Sequence, residues 1–250
     1  MVPRRPLLLA LFALTACIGH RTGEHDPFAT ALAAADLRWA ARAETGSVDE
    51  AERAYRALLA QRPDSGEVLW RLARVEWSRA LIDPANASTW HEAGRQEALA
   101  CIAADPALAD WLAHQGDRLT TEVLTAAHMP AQCLVYGAAH VVRWVELRGA
   151  GAALDLEDAA PLLEVAASTA PTVEPALREW AAARVSVLSG GAPSAARAHF
   201  RAAVEAEPGL HFFRVDAADA FPDLTDALPS PPETDAWALE NGAAPVSPAP

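Results

Sequence analysis

Small, large and small apolar residues recur along this chain in a fixed frame. It is cleanest in SAARAHFRAAVEAEP, where Ala196, Phe200, Ala203 and Pro208 stand at offsets of zero, four, seven and twelve. The first three positions share one face of a helix, and the proline falls just past its end. The frame recurs at Ala51, Tyr55, Leu58 and Pro63, at Gly94, Ala98, Cys101 and Pro106, and more weakly at Ala159, Leu163, Ala166 and Pro171. A small residue lets a neighbouring helix approach closely, the larger one fills the gap beside it, and the proline prevents the helix from continuing. These are the requirements of the second helix in a helical-hairpin repeat.

Between the frames the pattern supplies first helices. Leu32, Ala35 and Trp39 give one over 28–43, with Gly46 breaking it and Ser47 and Glu50 forming a capping box for the helix over 48–61. After Ser65, Leu69, Leu72 and Ala73 form a packing stripe, while Glu67, Trp70, Arg74 and Trp77 form a second stripe at offsets of three, seven and ten. That second stripe is the candidate partner or ligand surface, and two alternatives stand: an exposed contact face, or tryptophans buried under a neighbouring helix. Turn chemistry at Asp83-Pro84-Ala85-Asn86 lengthens the next repeat, with Ser88 or Thr89 as cap. Trp111 to Ala127 reads as one helix, stopped by Met129-Pro130. The segment from Ala131 to Leu147 is apolar on nearly all sides and so belongs at the centre. Thr172 to Leu188 is the last first helix, and 211–221 would seal the open end of the stack.

The pattern therefore predicts an all-α chain: a helical-hairpin repeat array, an α-solenoid with degenerate repeats, over 28–221. Composition agrees, since 52% of residues are apolar and the chain is long enough for a core. Its formal charge of −13 argues against nucleic-acid binding through phosphate neutralisation. From Pro222 to Pro250 the chain is rich in proline and acid and carries no arginine, the composition of a disordered tail. Trp237 is the exception within it.

The first residues carry a different signal. Arg4 and Arg5 precede the apolar run Leu7 to Ala13, which is too short to span a bilayer, and Leu14-Thr15-Ala16-Cys17 follows. That ending resembles a bacterial lipobox, which implies a signal peptide over 1–16, acylation of Cys17 and a flexible spacer over 17–27. Two or more acyl chains anchor a protein stably. Ile18 after the cysteine favours the outer membrane over the inner one, by resemblance to known sorting rules.

Catalytic and metal patterns are weak. No nucleophile elbow, phosphate loop or dinucleotide fingerprint occurs. His128, Cys133 and His140 are the nearest approach to a ligand set, with Pro130 intervening, so no metal or cofactor is expected. An enzyme would need polar residues such as His91, Glu92 and His140 brought together by the fold. Cys101 and Cys133 can pair, although both lie in helical patterns where a buried free thiol is the commoner state.

The frames and Trp180 resemble tetratricopeptide repeats, in which a stripe such as that of Glu67 to Trp77 lines the concave face. More specifically, the order of features resembles the T-component (TatT) family of TRAP transporters. Those features are the lipobox, ERAYRALLAQRPDSGEVLWRLARVEW, a long insertion, LVYGAAHVVRW, GGAPSAARAHFRAAVEAEPG and a phenylalanine-rich end. The resemblance implies a non-catalytic, membrane-anchored periplasmic lipoprotein. Its implied partner is the periplasmic solute-binding protein of a TRAP transporter, with a small, often apolar, ligand in a cleft between helices. It leaves homo-oligomerisation open. The alternatives are a generic repeat scaffold for envelope assembly, without an interior cleft, and an unrecognised enzyme.

Overall fold

A computed structural model describes residues 26–115, 119–208 and 210–227. The expected signal peptide, Cys17 and Trp237 lie outside the described residues. Eleven α-helices and three 3₁₀ turns make up the described elements, and no strand occurs among them. In order, the helices are α1 (Pro27–Ala40), α2 (Ser47–Leu59), α3 (Gly66–Ile82), α4 (Ala87–Ala103), α5 (Pro106–Gln115), α6 (Thr121–Ala126), α7 (Ala131–Arg148), α8 (Leu156–Thr169), α9 (Pro175–Leu188), α10 (Pro193–Ala206) and α11 (His211–Ala220). No helix among the described residues is long and apolar enough to cross a membrane.

Helices adjacent in the chain pack together: α1 on α2, α3 on α4, α7 on α8, and α9 on α10, with α11 against α10. The four frames lie on α2, α4, α8 and α10, and all twelve of their helical positions are buried. α7 is the hub, touching α3, α4, α8 and α9, and its buried residues point to every side. Its close approach to α4 rests on two glycines. A Cβ on Gly137 would stand 3.4 Å from the Ala98 Cβ, and one on Gly94 would stand 2.2 Å from the His140 ring.

Several local expectations are corrected. The capping box at Ser47 is absent: Gly46, at φ 86°, occupies the cap position of α2, and Ser47 is already helical. Neither Ser88 nor Thr89 caps α4, because a 3₁₀ turn over Pro84–Asn86 runs directly into it at Ala87. The single helix expected from Trp111 to Ala127 is two. Asp105 Oδ1 accepts the Ala107 amide (2.8 Å) and starts α5 early, and the Thr120 hydroxyl, accepting the Val123 amide (3.4 Å), starts α6. Cys101 and Cys133 are joined as a disulfide between α4 and α7, their Cα atoms 5.8 Å apart. Finally, folded structure extends past Phe221. Pro222–Ala227 forms a 3₁₀ turn whose Leu224 is buried and whose Asp223 pairs with Arg197 at 3.0 Å.

Candidate functional site

The stripe of α3 divides when folded. Trp70 and Trp77 are both 7% exposed, so of the two alternatives burial holds, and the exposed contact face does not. Glu67 turns away to accept from the Trp70 indole (3.2 Å) and from Arg71 (2.7 Å). Arg74 and Trp77 face a cavity of about 480 Å³, lined by residues from early and late in the chain. α1 and the turn after it give Trp39 and Arg42, α3 gives Arg74, Trp77 and Ser78, and α7 gives Tyr136. Glu174 and Leu177 come from the start of α9, and Glu207 and Pro208 from the chain after α10. Leu210 and Phe213 of the final segment complete it.

Two guanidiniums lie in the wall. Arg74 lies over the Trp39 ring at 4.4 Å and the Trp70 ring at 4.9 Å, and Arg42 lies over Trp39 at 5.3 Å. Arg74 donates from Nη2 to the Tyr55 hydroxyl (3.3 Å), which donates to Asp36 Oδ1 (2.7 Å). Arg71 grips the same carboxylate with two hydrogen bonds, 2.7 and 2.9 Å. Burial pushes the Asp36 carboxyl up, but Arg71 and Tyr55 bring it below its ordinary value. The first hairpin is thus locked to α3 by Asp36, and Arg74 is held against the aromatic wall. Its Nε finds no hydrogen-bond partner among the described residues.

Carboxylates share the wall with these guanidiniums, Glu174 and Glu207 beside Tyr136. Burial raises the Tyr136 phenol well above its ordinary value, and its hydrogen bond to Glu174, with Glu207 nearby, adds to the shift. Glu174 has φ 42° and ψ 52°, the one left-handed non-glycine among the described residues. Pro175 follows it and disfavours the right-handed helical alternative. A backbone held there costs roughly 1–3 kcal/mol, and such strain gathers at functional sites.

Behind Trp77 lies an aromatic cluster. Its indole meets His91, His140, Trp180 and Phe212 edge-on, at centroid distances of 5.3 to 5.9 Å. The fold therefore does bring His91 and His140 together, with Nδ1 atoms 3.0 Å apart, but both are buried. His140 Nε2 donates to the Ala73 carbonyl (2.9 Å), so its Nδ1 is the acceptor of the His91 Nδ1–H. Burial holds both bases low, His91 at about 2 and His140 at about 4, so neither exchanges protons near neutrality. Glu92 is elsewhere, bonded to Arg95 and Gln96. No group of three His, Cys, Asp or Glu side chains among the described residues is placed to hold a metal.

A second hollow of about 610 Å³, lined by Val145, Leu156, Val185 and Leu188 with Glu146 and Glu157, is larger but mostly apolar. The first has polar groups converging from several helices, the usual mark of a binding site. Arg74 and Trp77 were visible in the sequence as a stripe, whereas Trp39, Arg42, Tyr136, Glu174 and Glu207 carried no shared spacing. Only Glu174, before a proline, had a local signal. Comparison of the chain with protein-family models, curated proteins and solved structures returns no match.

Proposed function

We propose that the chain is a non-catalytic, helical-hairpin repeat protein, lipid-anchored through Cys17 in the periplasm, which binds a small ligand in the cavity between its first helices. As in the family it resembles, its proposed partner is the solute-binding protein of a TRAP transporter. The repeat architecture is supported by the four frames, each on the second helix of a packed pair and each closed by its proline. The observation that carries binding is the cavity itself, since α1, α3, α7, α9 and α11 all contribute to one wall. A generic scaffold needs the same helix pairs but no such interior. Catalysis is disfavoured because the nearest acid–base constellation has lost its carboxylate and locked its two imidazoles as neutral, buried groups.

Native mass spectrometry of the protein purified from solubilised envelope tests ligand binding. A small-molecule adduct released on denaturation is expected, and a bare chain contradicts it. For the partner, a pull-down recovering a solute-binding protein is expected, and its absence contradicts that assignment. Palmitate labelling that persists in Cys17→Ala contradicts the anchor.

A further inference from the structure

Four large apolar side chains are left in solvent at one corner of the fold. Leu154, in the 3₁₀ turn Gly149–Asp155, is 78% exposed, and Leu147 in the last turn of α7 and Val187 and Leu188 in the last turn of α9 are exposed with it. The same elements and the start of α8 wall the hollow of about 610 Å³, to which Val145, Gly149, Leu156, Val185 and Leu188 contribute. Glu146 in that wall is already held by Arg143 at 2.7 Å and by Arg184. Such a surface offers little to a polar ligand, and apolar area gathered in one place marks a contact site.

The sequence holds an apolar group with no role so far. Trp237 and Leu239 are the one place in 228–250 where two large apolar side chains stand close together. The described chain ends at Ala227, in the turn whose Asp223 pairs with Arg197 of α10 at 3.0 Å. The helix before that turn, α11, sits one ion-pair layer from the hollow, since its Asp216 pairs with Arg143 (2.8 Å) and Arg143 with Glu146 of the wall. Trp237 stands ten residues past Ala227, a reach of up to about 35 Å, enough to cross that layer.

We propose that residues 237–239 fold back onto this corner, with Trp237 seated in the apolar hollow between α7, α8 and α9. The covalent link holds the indole at an effective concentration of about millimolar, so a contact too weak to join separate molecules is filled within one. A second copy is the poorer occupant, because chains of formal charge −13 repel one another. The hollow shares no lining residue with the ligand cavity, so disrupting it leaves that cavity intact.

Chymotrypsin cleavage of the full chain at Trp237 tests this, because a seated indole is shielded from the protease. Leu188→Asp puts a charge in the hollow at a position exposed enough for the fold to survive, which circular dichroism checks. Cleavage at Trp237 is expected to rise at least about tenfold in Leu188→Asp, and an equal rate in the two chains would overturn the proposal. A cysteine pair supplies a test that leaves the hollow apolar. Ala160 is exposed in the hollow's wall and Ala29 is exposed on α1. On mild oxidation, Ala160→Cys with Ala238→Cys should cross-link within one chain, at least about tenfold faster than Ala29→Cys with Ala238→Cys. A cross-link between chains would give the hollow to a second copy, and equal rates at the two positions would show no preferred seat. Either result overturns the proposal, as does the absence of any cross-link.

Discussion

Single residues set the closeness of the central helices. Position 94 is legible in the sequence as a small residue in a repeat frame, but its being glycine is not, because the reason lies on another helix. His140 occupies the space where a side chain at 94 would begin. Gly94→Ala should therefore destabilise the fold by about 3 kcal/mol despite the gain in helix propensity. Urea unfolding of Gly94→Ala, His140→Ala and the pair tests this. The double variant should recover much of the loss expected from summing the two, and simple additivity would show that the ring is not what the methyl meets.

The same two histidines give stability a pH dependence. Unfolded, they take up protons near pH 6.5; folded, only at about 4 and about 2, so acidification below 6.5 favours the unfolded chain. Glu76 acts oppositely. It is 1% exposed, and burial together with Glu52 raises it to about 7, despite Arg79 and the Arg56 guanidinium 3.1 Å away. Its folded form holds a proton that the unfolded form releases near 4.5, so stability from this group falls as pH rises from 4.5 to 7. Each group is worth about 1.4 kcal/mol per pH unit within its window. Between 4.5 and 6.5 two imidazoles outweigh one carboxylate, so the urea midpoint should rise with pH and peak near 6.5. Glu76→Gln should remove the decline above the peak, and an unchanged profile in that variant would contradict the assignment.

At the scale of elements, long amphipathic helices were the most legible part of the chain. α2, α3, α7, α9 and α10 follow from apolar spacing and their prolines, because burial of one face fixes them. What misled was termination. Ser47 and Ser88 have the chemistry of caps, yet Gly46 and the 3₁₀ turn at Pro84–Asn86 start those helices, since the approach of the preceding chain decides which residue stands at the entrance. The single helix expected from Trp111 to Ala127 divides into α5 and α6 because Asp105 and Thr120 each cap a helix of their own. The disulfide was open in the sequence, because nothing there shows that α4 and α7 lie side by side. Its 32-residue separation implies about 4 kcal/mol of stabilisation. Thermal melts with and without reductant should differ by several degrees in the native chain and coincide in Cys101→Ala/Cys133→Ala.

At the scale of the whole molecule, several helices meet around one open cleft. The frames lie on α2, α4, α8 and α10, each packed on a neighbouring helix. The cavity arises because α1, α3, α7 and α9 turn their remaining faces toward one another and α11 closes the end. Its residues were hard to find beforehand because they are scattered from Trp39 to Phe213 and belong to no common motif. Arg74 and Trp77 alone stood out, being two turns of one stripe. The Asp36, Tyr55 and Arg71 network fastens the first hairpin to the rest, so Asp36→Ala should loosen α1 and α2 and open that end of the cavity. Hydrogen exchange in α1 should then rise well above that in α9, and a uniform rise along the chain would contradict a local hinge.

The most direct measurement is a crystal structure of the protein purified from its own envelope without added ligand. Electron density for a small molecule enclosed by Trp39, Arg74, Tyr136, Glu174 and Phe213 is the predicted result. A cavity collapsed onto its own side chains, or helices α2, α4, α8 and α10 unpaired with their partners, would contradict it.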